Sequence, residues 1–215
     1  MATTKVRGRM SAAKLRTLAD LGPRYGVDLD LDRPLADRLD AAFGRSAPRR
    51  LDVGIGNGEA TVAWAAARSD HDVLAVELHR PSVAATLTAV DAAGLANVRV
   101  VEADVRTLLT QVRPGDLDHV RILFPDPWPK RRHHARRLVD AAFATAVADA
   151  LRPGGTLHVA TDWDGYADHV VAALAADGRY AIDAAAPRPD RPVTTYEAIG
   201  RAAGRAIHDI VATRR

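Results

Sequence analysis

The residues best suited to do chemistry lie in Phe124–Arg137, FPDPWPKRRHHARR. Asp126 stands between Pro125 and Pro127. Trp128 follows, and Lys130, Arg131, Arg132, Arg136 and Arg137 crowd the next positions, with His133 and His134 among them. Proline fixes its own φ and biases the preceding residue toward extended backbone, so Asp126 is expected to project in a nearly set direction. A fixed carboxylate, a flat indole and a cationic cluster suit a nucleobase and its phosphates. A basic run by itself reads as a solvated face, which accounts for the arginines but not for the rigid Pro-Asp-Pro-Trp. The adjacent histidines point apart and have no third ligand nearby, so no metal site is expected.

A second set of candidates comes earlier, in Leu51-Asp52-Val53-Gly54-Ile55-Gly56-Asn57-Gly58-Glu59. Gly54, Gly56 and Gly58 would let the backbone approach a ligand and leave helix N–H groups facing it. A dinucleotide turn needs G-x-G-x-x-G; counted from Gly54, the last position is Glu59, so that pattern fails. What remains, D-x-G-x-G-x-G with an acid at the strand end, suits a cation bearing an amino-acid tail, S-adenosylmethionine. Glu77 closes the next strand, where an acid can accept from both ribose hydroxyls. Asp104 follows the third strand and is placed to accept from an adenine amino group. Three acids after three successive strands carry more weight than any one of them.

Apolar runs and breakers supply the elements that must position these groups. Ser11 is a plausible N-cap for an amphipathic helix through Leu21, closed by Pro23 and Gly26; Leu35–Phe43 reads as a second helix. From Arg50 strands and helices alternate. The strands read as Leu51–Gly54, Asp72–Val76, Asn97–Val101, Asp118–Phe124 and Thr156–Ala160. Between them come a helix through about Arg68, another over Pro81–Ala93, and a long one over His134–Leu151 stopped by Pro153-Gly154-Gly155. Trp163–Ala176 is a further helix. Tyr180–Ala184 and Ala206–Ala212 are β-like and separated by a Pro-rich loop. The alternation predicts an α/β fold, a mostly parallel seven-stranded sheet with helices on both faces and ligands beyond the carboxyl ends of the strands. No linker or repeat interrupts it. A single domain over 1–215 is therefore expected, with a basic arm and N-terminal helices in 1–48 and the α/β core in 49–215.

Composition narrows the class. The 215 residues are 47% hydrophobic, enough for a substantial core, and the formal net charge is +3. The sequence pI is about 9.6. Because the excess is modest, its location matters, and much of it falls in 130–137, as a polyanion partner would favour. Cysteine is absent, which excludes disulfides, thiolate metal sites and a Cys nucleophile. No secretory h-region follows MATTKVRGRM, and no stretch reaches the ~18 apolar residues of a membrane span. The expectation is a soluble cytoplasmic protein, monomeric by default, with no obligate protein partner. Arg7 and Arg9 could touch RNA or belong to a frayed terminus.

With these residues in view, the chain resembles the bacterial tRNA (guanine-N7-)-methyltransferase family. The resemblance rests on LDVGIGNGE, VLAVELHRPSV, ILFPDPWPKRRHHARRLV, LRPGG, ATDWDGYADH and RPVTTYE, with VRGRMSAAKLRTLADLGPRYG similar near the N-terminus. It implies a Rossmann-like class I methyltransferase fold. By position it implies that Asp52, Glu77 and Asp104 hold S-adenosylmethionine and that Asp126 is catalytic while bordering that cofactor. It further implies that Lys130 and Asp162 bind substrate, and that Thr194, Thr195, Tyr196 and Glu197 form the substrate loop. The family's target is the guanine at tRNA position 46, in the variable loop. Thr195 departs from a basic residue, and Ile199 and Arg205 stand where the family usually has Arg and His.

Guanine N7 carries a lone pair and no proton, so its methylation asks for alignment and electrostatics rather than a base. Asp126, Asp162 and Glu197, with the Thr194 hydroxyl, are expected to read the N1–H and N2–H₂ donors of a base turned out of the folded tRNA. Trp128 could stack on that base or pack against the following helix. Asp162 could cap the helix after it. Lys130, Arg131, Arg132, Arg136 and Arg137 would hold phosphates. An RNA-binding module of the same fold without turnover is the alternative.

Overall fold

The computed structural model describes residues 10–29, 35–188 and 191–215. The basic arm with Arg7 and Arg9 lies outside them, as does part of the Pro-rich loop. The fold is α/β, with seven strands in one mostly parallel sheet. The chain divides into two compact units, Met1–Arg113 and Pro114–Arg215.

In the first unit the elements run α1 (Ala12–Tyr25), α2 (Leu35–Phe43), β1 (Arg49–Val53), α3 (Glu59–Ala66), β2 (Asp72–Glu77), α4 (Arg80–Ala92), β3 (Val98–Glu102) and α5 (Val105–Leu109). Ser11 caps α1, its Oγ accepting from the Lys14 N–H at 3.3 Å. Pro23 does not end that helix, which runs on to Tyr25. Its ring withholds a donor from the Ala19 carbonyl, yet the last turn is anchored from outside by the buried Tyr25, whose hydroxyl donates to Asp91 Oδ1 at 2.9 Å. Strands β1, β2 and β3 pair in parallel in the order β3-β2-β1, Asp52 opposite Ala75 and Glu77 opposite Glu102. Val73, Val98 and Val100 of the strands pack with Val83, Leu87 and Val90 of α4, the near-continuous apolar strands of a parallel sheet.

In the second unit come β4 (Leu117–Leu123), a 3₁₀ helix (Arg131–Arg136), α6 (Ala141–Ala150), β5 (Leu151–Thr161), α7 (Asp164–Asp177), β6 (Tyr180–Asp183), α8 (Thr195–Ala202) and β7 (His208–Arg214). The strand order is β4-β5-β7-β6; β4 and β5 are parallel, and β7 runs antiparallel to both β5 and β6. The expected long helix from His134 is two elements. Arg137 (φ −59°, ψ 134°) breaks the 3₁₀ turn, and Asp140 restarts the chain as an N-cap, accepting from the Phe143 N–H at 2.8 Å. Pro153-Gly154-Gly155 lies inside β5 rather than stopping the helix. Leu117 pairs with Leu151 but His119 with Thr156, so residues 152–155 bulge out of the ladder, with 152–154 exposed. Helix α8 occupies what the sequence suggests is loop. Among the described residues no helix is long and apolar enough to cross a membrane.

Candidate active site

In the first unit the predicted cofactor acids share the carboxyl edge of three adjacent parallel strands. Asp52 sits on β1, 3% exposed, and its Oδ2 accepts from Thr61 Oγ1 at 2.8 Å. Glu77 ends β2. Its Oε1 accepts from the Leu78 and His79 N–H groups at 2.7 and 2.8 Å, which fixes the carboxylate at the start of α4. Asp104 follows β3 and caps α5, Oδ1 accepting from the Arg106 N–H at 2.8 Å. Each acid is thus oriented by the element that follows its strand.

Gly54, Gly56 and Gly58 all have positive φ, +71°, +57° and +85°. A Cβ on Gly54 or Gly56 would meet nothing within 4 Å, so the backbone there faces open space that a ligand could approach. Gly58 is constrained from the other side: a Cβ would come within 2.8 Å of Thr86 Cα, so only glycine lets α3 start this close to α4. An open glycine turn beside three anchored carboxylates fits a cationic nucleoside with hydroxyl and amino donors.

In the second unit the chain leaves β4 through a strained turn. Phe124 (φ +51°) and Trp128 (φ +44°) both adopt left-handed backbone, uncommon for bulky residues. The extended conformation expected for Phe124 ahead of Pro125 is therefore overridden; its N–H is fixed by the Ala160 carbonyl at 2.8 Å. Asp126, between the two, is exposed, and among the described residues its carboxylate has no hydrogen-bond partner. Lys130, at the N-cap of the 3₁₀ helix, and Arg131, Arg132 and Arg136 within it are also exposed.

Arg137 is not part of that exposed cluster. It is 4% exposed, its Nε donates to the Pro127 carbonyl at 3.0 Å and its Nη1 to the Gly165 carbonyl at 3.1 Å, and it lies over the Tyr166 ring. It staples the Asp126 turn to α7 instead of gripping phosphate. Burial pushes the Tyr166 hydroxyl up to about 12, so this partner stays neutral. Trp128 is half-buried and packs on its own 3₁₀ helix, Arg136 lying 4.9 Å over the ring and His133 edge-on at 5.8 Å.

Asp162 follows β5, and its Oδ2 accepts from Arg205 Nε at 2.8 Å. It does not cap α7, whose N-cap is Trp163. Thr194 is the N-cap of α8, its Oγ1 accepting from the Glu197 N–H at 3.2 Å. Thr195 and Tyr196 are exposed on the first turn. Glu197 is placed differently from its loop neighbours. Its side chain is wholly buried and bound by three arginines: Arg188 at 3.1 Å, Arg201 at 2.6 Å, and Arg191 in a short contact. A carboxylate so occupied acts as a clamp on the start of α8. Burial alone would raise the Glu197 carboxyl, but the Arg188 and Arg191 bonds outweigh it and hold it below its ordinary value. Its contribution to stability is therefore present above the ordinary carboxylate range and lost as pH falls through the depressed value.

The sequence reading missed this clamp, α5 and α8. One signal was available: Thr194 and Glu197 have the T-x-x-E spacing of a helix start.

Comparison with known proteins shows the family and the fold. Residues 46–210 match a family model described as "Putative methyltransferase". Two solved structures show the fold. The antibiotic-resistance methyltransferase Kmr has TM-score 0.59 at 20% identity, over 83% of this chain and 92% of that one. A mutant 16S rRNA (adenine(1408)-N(1))-methyltransferase with cosubstrate SAM from Catenulisporales acidiphilia has TM-score 0.59 at 20% identity, over 87% and 92%. The architecture is thus that of the class I methyltransferases. Proteins named tRNA (guanine-N(7)-)-methyltransferase are far more similar in sequence. That of Halorhodospira halophila is 44% identical over 210 residues, covering 95% of this chain and 90% of the relative. That of Nitrosomonas eutropha is 40% identical over 212 residues, covering 97% and 93%. The chain belongs to the tRNA (guanine-N(7)-)-methyltransferase family.

Arg137→Ala removes two charge-assisted bonds to carbonyls and should cost about 2 kcal/mol or more, read as a lowered urea midpoint. A midpoint within error of the wild type would return Arg137 to the solvent-facing cluster.

Proposed function

We propose that this protein transfers a methyl group from S-adenosylmethionine to N7 of a guanine in tRNA, at position 46 of the variable loop. In a chain of this family, the observation that carries the reading is Asp126: a carboxylate unpaired among the described residues, at the exit of β4, fixed by a strained proline turn and followed by an exposed basic helix. The donor supplies an activated methyl on a sulfonium centre, whose positive charge passes to the purine ring. Asp52, Glu77 and Asp104 with the Gly54–Gly58 turn bind and orient the donor, and no side chain is needed to remove a proton from N7.

Asp126 places negative charge near the developing purine cation, in a position prepaid by the fold. Asp162, with Oδ1 unengaged among the described residues, accepts from the N–H donors of the guanine edge. Adenine offers an acceptor at N1 and would leave a carboxylate unpaired. Thr194 keeps a hydroxyl donor while capping α8. Lys130, Arg131 and Arg132 hold phosphates, Thr195 and Tyr196 border the RNA, and Glu197 fixes the helix that carries them. An RNA-binding module without turnover is not favoured, because the open Asp126 carboxylate serves chemistry and contributes nothing to holding a polyanion.

Purified protein incubated with labelled S-adenosylmethionine and tRNA lacking the modification should yield 7-methylguanine at position 46, mapped by borohydride and aniline cleavage. Asp126→Ala should lower kcat at least a hundredfold with cofactor affinity within a few-fold. Binding of tRNA without transfer by the wild type would leave the non-catalytic module as the answer. Changing Arg131 and Arg132 together to Ala should reduce the salt slope of tRNA binding by about two phosphates' worth. An unchanged slope would make them surface residues.

A further inference from the structure

The C-terminal half of α8 is shaped around the Asp162 side chain. A Cβ on Gly200 would come within 2.7 Å of Asp162 Oδ2 and 2.9 Å of its Cβ, so glycine is what lets the helix lie this close. The helix then ends in a left-handed turn at Gly204 (φ +70°). There the Gly204 N–H donates to the Arg201 carbonyl at 2.9 Å, and the Arg205 N–H to the Gly200 carbonyl at 3.0 Å. This pair of bonds is the Schellman arrangement, which fixes the backbone of the residue after the glycine.

That residue is Arg205, and its Nε donates to Asp162 Oδ2 at 2.8 Å. The two side chains are 36% and 18% exposed, so the pair sits at the solvent boundary with the carboxylate on the inner side. Nearby, His208 Nε2 lies 2.7 Å from Asp164 Oδ1, and the Trp163 N–H donates to Thr161 Oγ1 at 3.3 Å. Thr161 before Asp162 is held in the ladder opposite His208 and the Trp163 N–H after it is bonded, so one bond sets the rotation of the Asp162 carboxylate.

We infer that Arg205 is a positioning residue for base recognition: it engages Asp162 Oδ2 so that Oδ1 is presented, in one orientation, to the N–H donors of the guanine. The inference rests on the reading of Asp162 as a substrate contact. The competing role for an arginine here is a phosphate grip. A guanidinium committed to a carboxylate has its charge largely compensated and offers little to a backbone phosphate. A carboxylate held in advance loses less freedom when the base arrives, which is where recognition gains.

The test measures KM and kcat for unmodified tRNA, and the salt dependence of tRNA binding. The proteins are the wild type, Arg205→Ala, Arg205→Lys, Asp162→Asn and the double variant Asp162→Asn/Arg205→Ala. Arg205→Ala should raise KM roughly tenfold with a smaller change in kcat, and Arg205→Lys should recover part of the loss. The double variant should be no worse than Asp162→Asn within about twofold, because Arg205 acts through Asp162. The salt slope should not change. Losses that multiply in the double variant, or a slope lowered by about one in Arg205→Ala, would make Arg205 an independent phosphate contact and overturn the inference. Wild-type KM in Asp162→Asn would overturn it as well. If Arg205→Ala folds poorly, Arg205→Lys takes its place in the same cycle. A wild type that methylates no tRNA would remove the proposed function and this inference together. An active wild type with multiplying losses would remove this inference alone.

Discussion

Arg191 is 2% exposed in its side chain, and two buried carboxylates close on it. Glu197 contacts one edge of the guanidinium; Asp209 accepts from Nη2 at 3.1 and 3.3 Å and lies 2.7 Å from His158 Nε2. One cation thus ties the start of α8 to β7, and through His158 to β5. Charges this deep are tolerable only when paired, and removing one partner leaves the others uncompensated, at about 3–5 kcal/mol. Burial works against ionisation of Asp209, but the His158 and Arg191 bonds prevail and hold its carboxyl below the ordinary range. The network sets the direction in which α8 leaves the strand layer. That direction exposes Thr195 and Tyr196 and seats Gly200 against Asp162.

The same guanidinium lies 5.6 Å over the Phe124 ring, at the entrance to the Asp126 turn. Phe124 and Trp128 each hold a left-handed conformation that costs on the order of 1–3 kcal/mol, and such strain persists only where the surroundings over-determine it. Here the Phe124 N–H is bound to β5, Arg137 is bound to the Pro127 carbonyl, and Arg136 covers Trp128. Asp126 therefore owes its projection to three arginines and a β-ladder bond more than to the prolines beside it. Of the basic cluster that looks uniform in sequence, Lys130, Arg131 and Arg132 face solvent, Arg136 is exposed but covers Trp128, and Arg137 is buried in a structural role.

The sheet and most helices of both units were legible, because apolar strands bounded by glycine and acid are a local signal. Leu35–Phe43 ends where α2 ends, and Asp72 opens β2 as expected. The positions of the three acids proposed for the cofactor were legible for the same reason: Asp52 lies near the end of β1, Glu77 ends β2 and Asp104 follows β3, and strand ends are readable. What stayed hidden depends on distant partners. Glu197 looks like an available acceptor until Arg188, Arg191 and Arg201 are seen around it, and Arg137 looks like its neighbours until Gly165 is placed beside it. Pro153-Gly154-Gly155 reads as a helix stop by composition, and only the pairing of His119 with Thr156 reveals a bulge. Pro23 fails as a terminator because Tyr25 is anchored to Asp91, far along the chain.

Three arginines occupy the buried Glu197 carboxylate, so a charge clamp rather than direct base contact is the role expected of it. Thermal unfolding of Glu197→Gln, paired with its tRNA methylation at a temperature below both midpoints, tests it most directly. The clamp predicts a loss of about 3 kcal/mol, roughly 10 °C for a chain this size, with methylation at the lower temperature kept within about tenfold. An unchanged midpoint with methylation abolished would contradict it and make Glu197 a residue that reads the guanine.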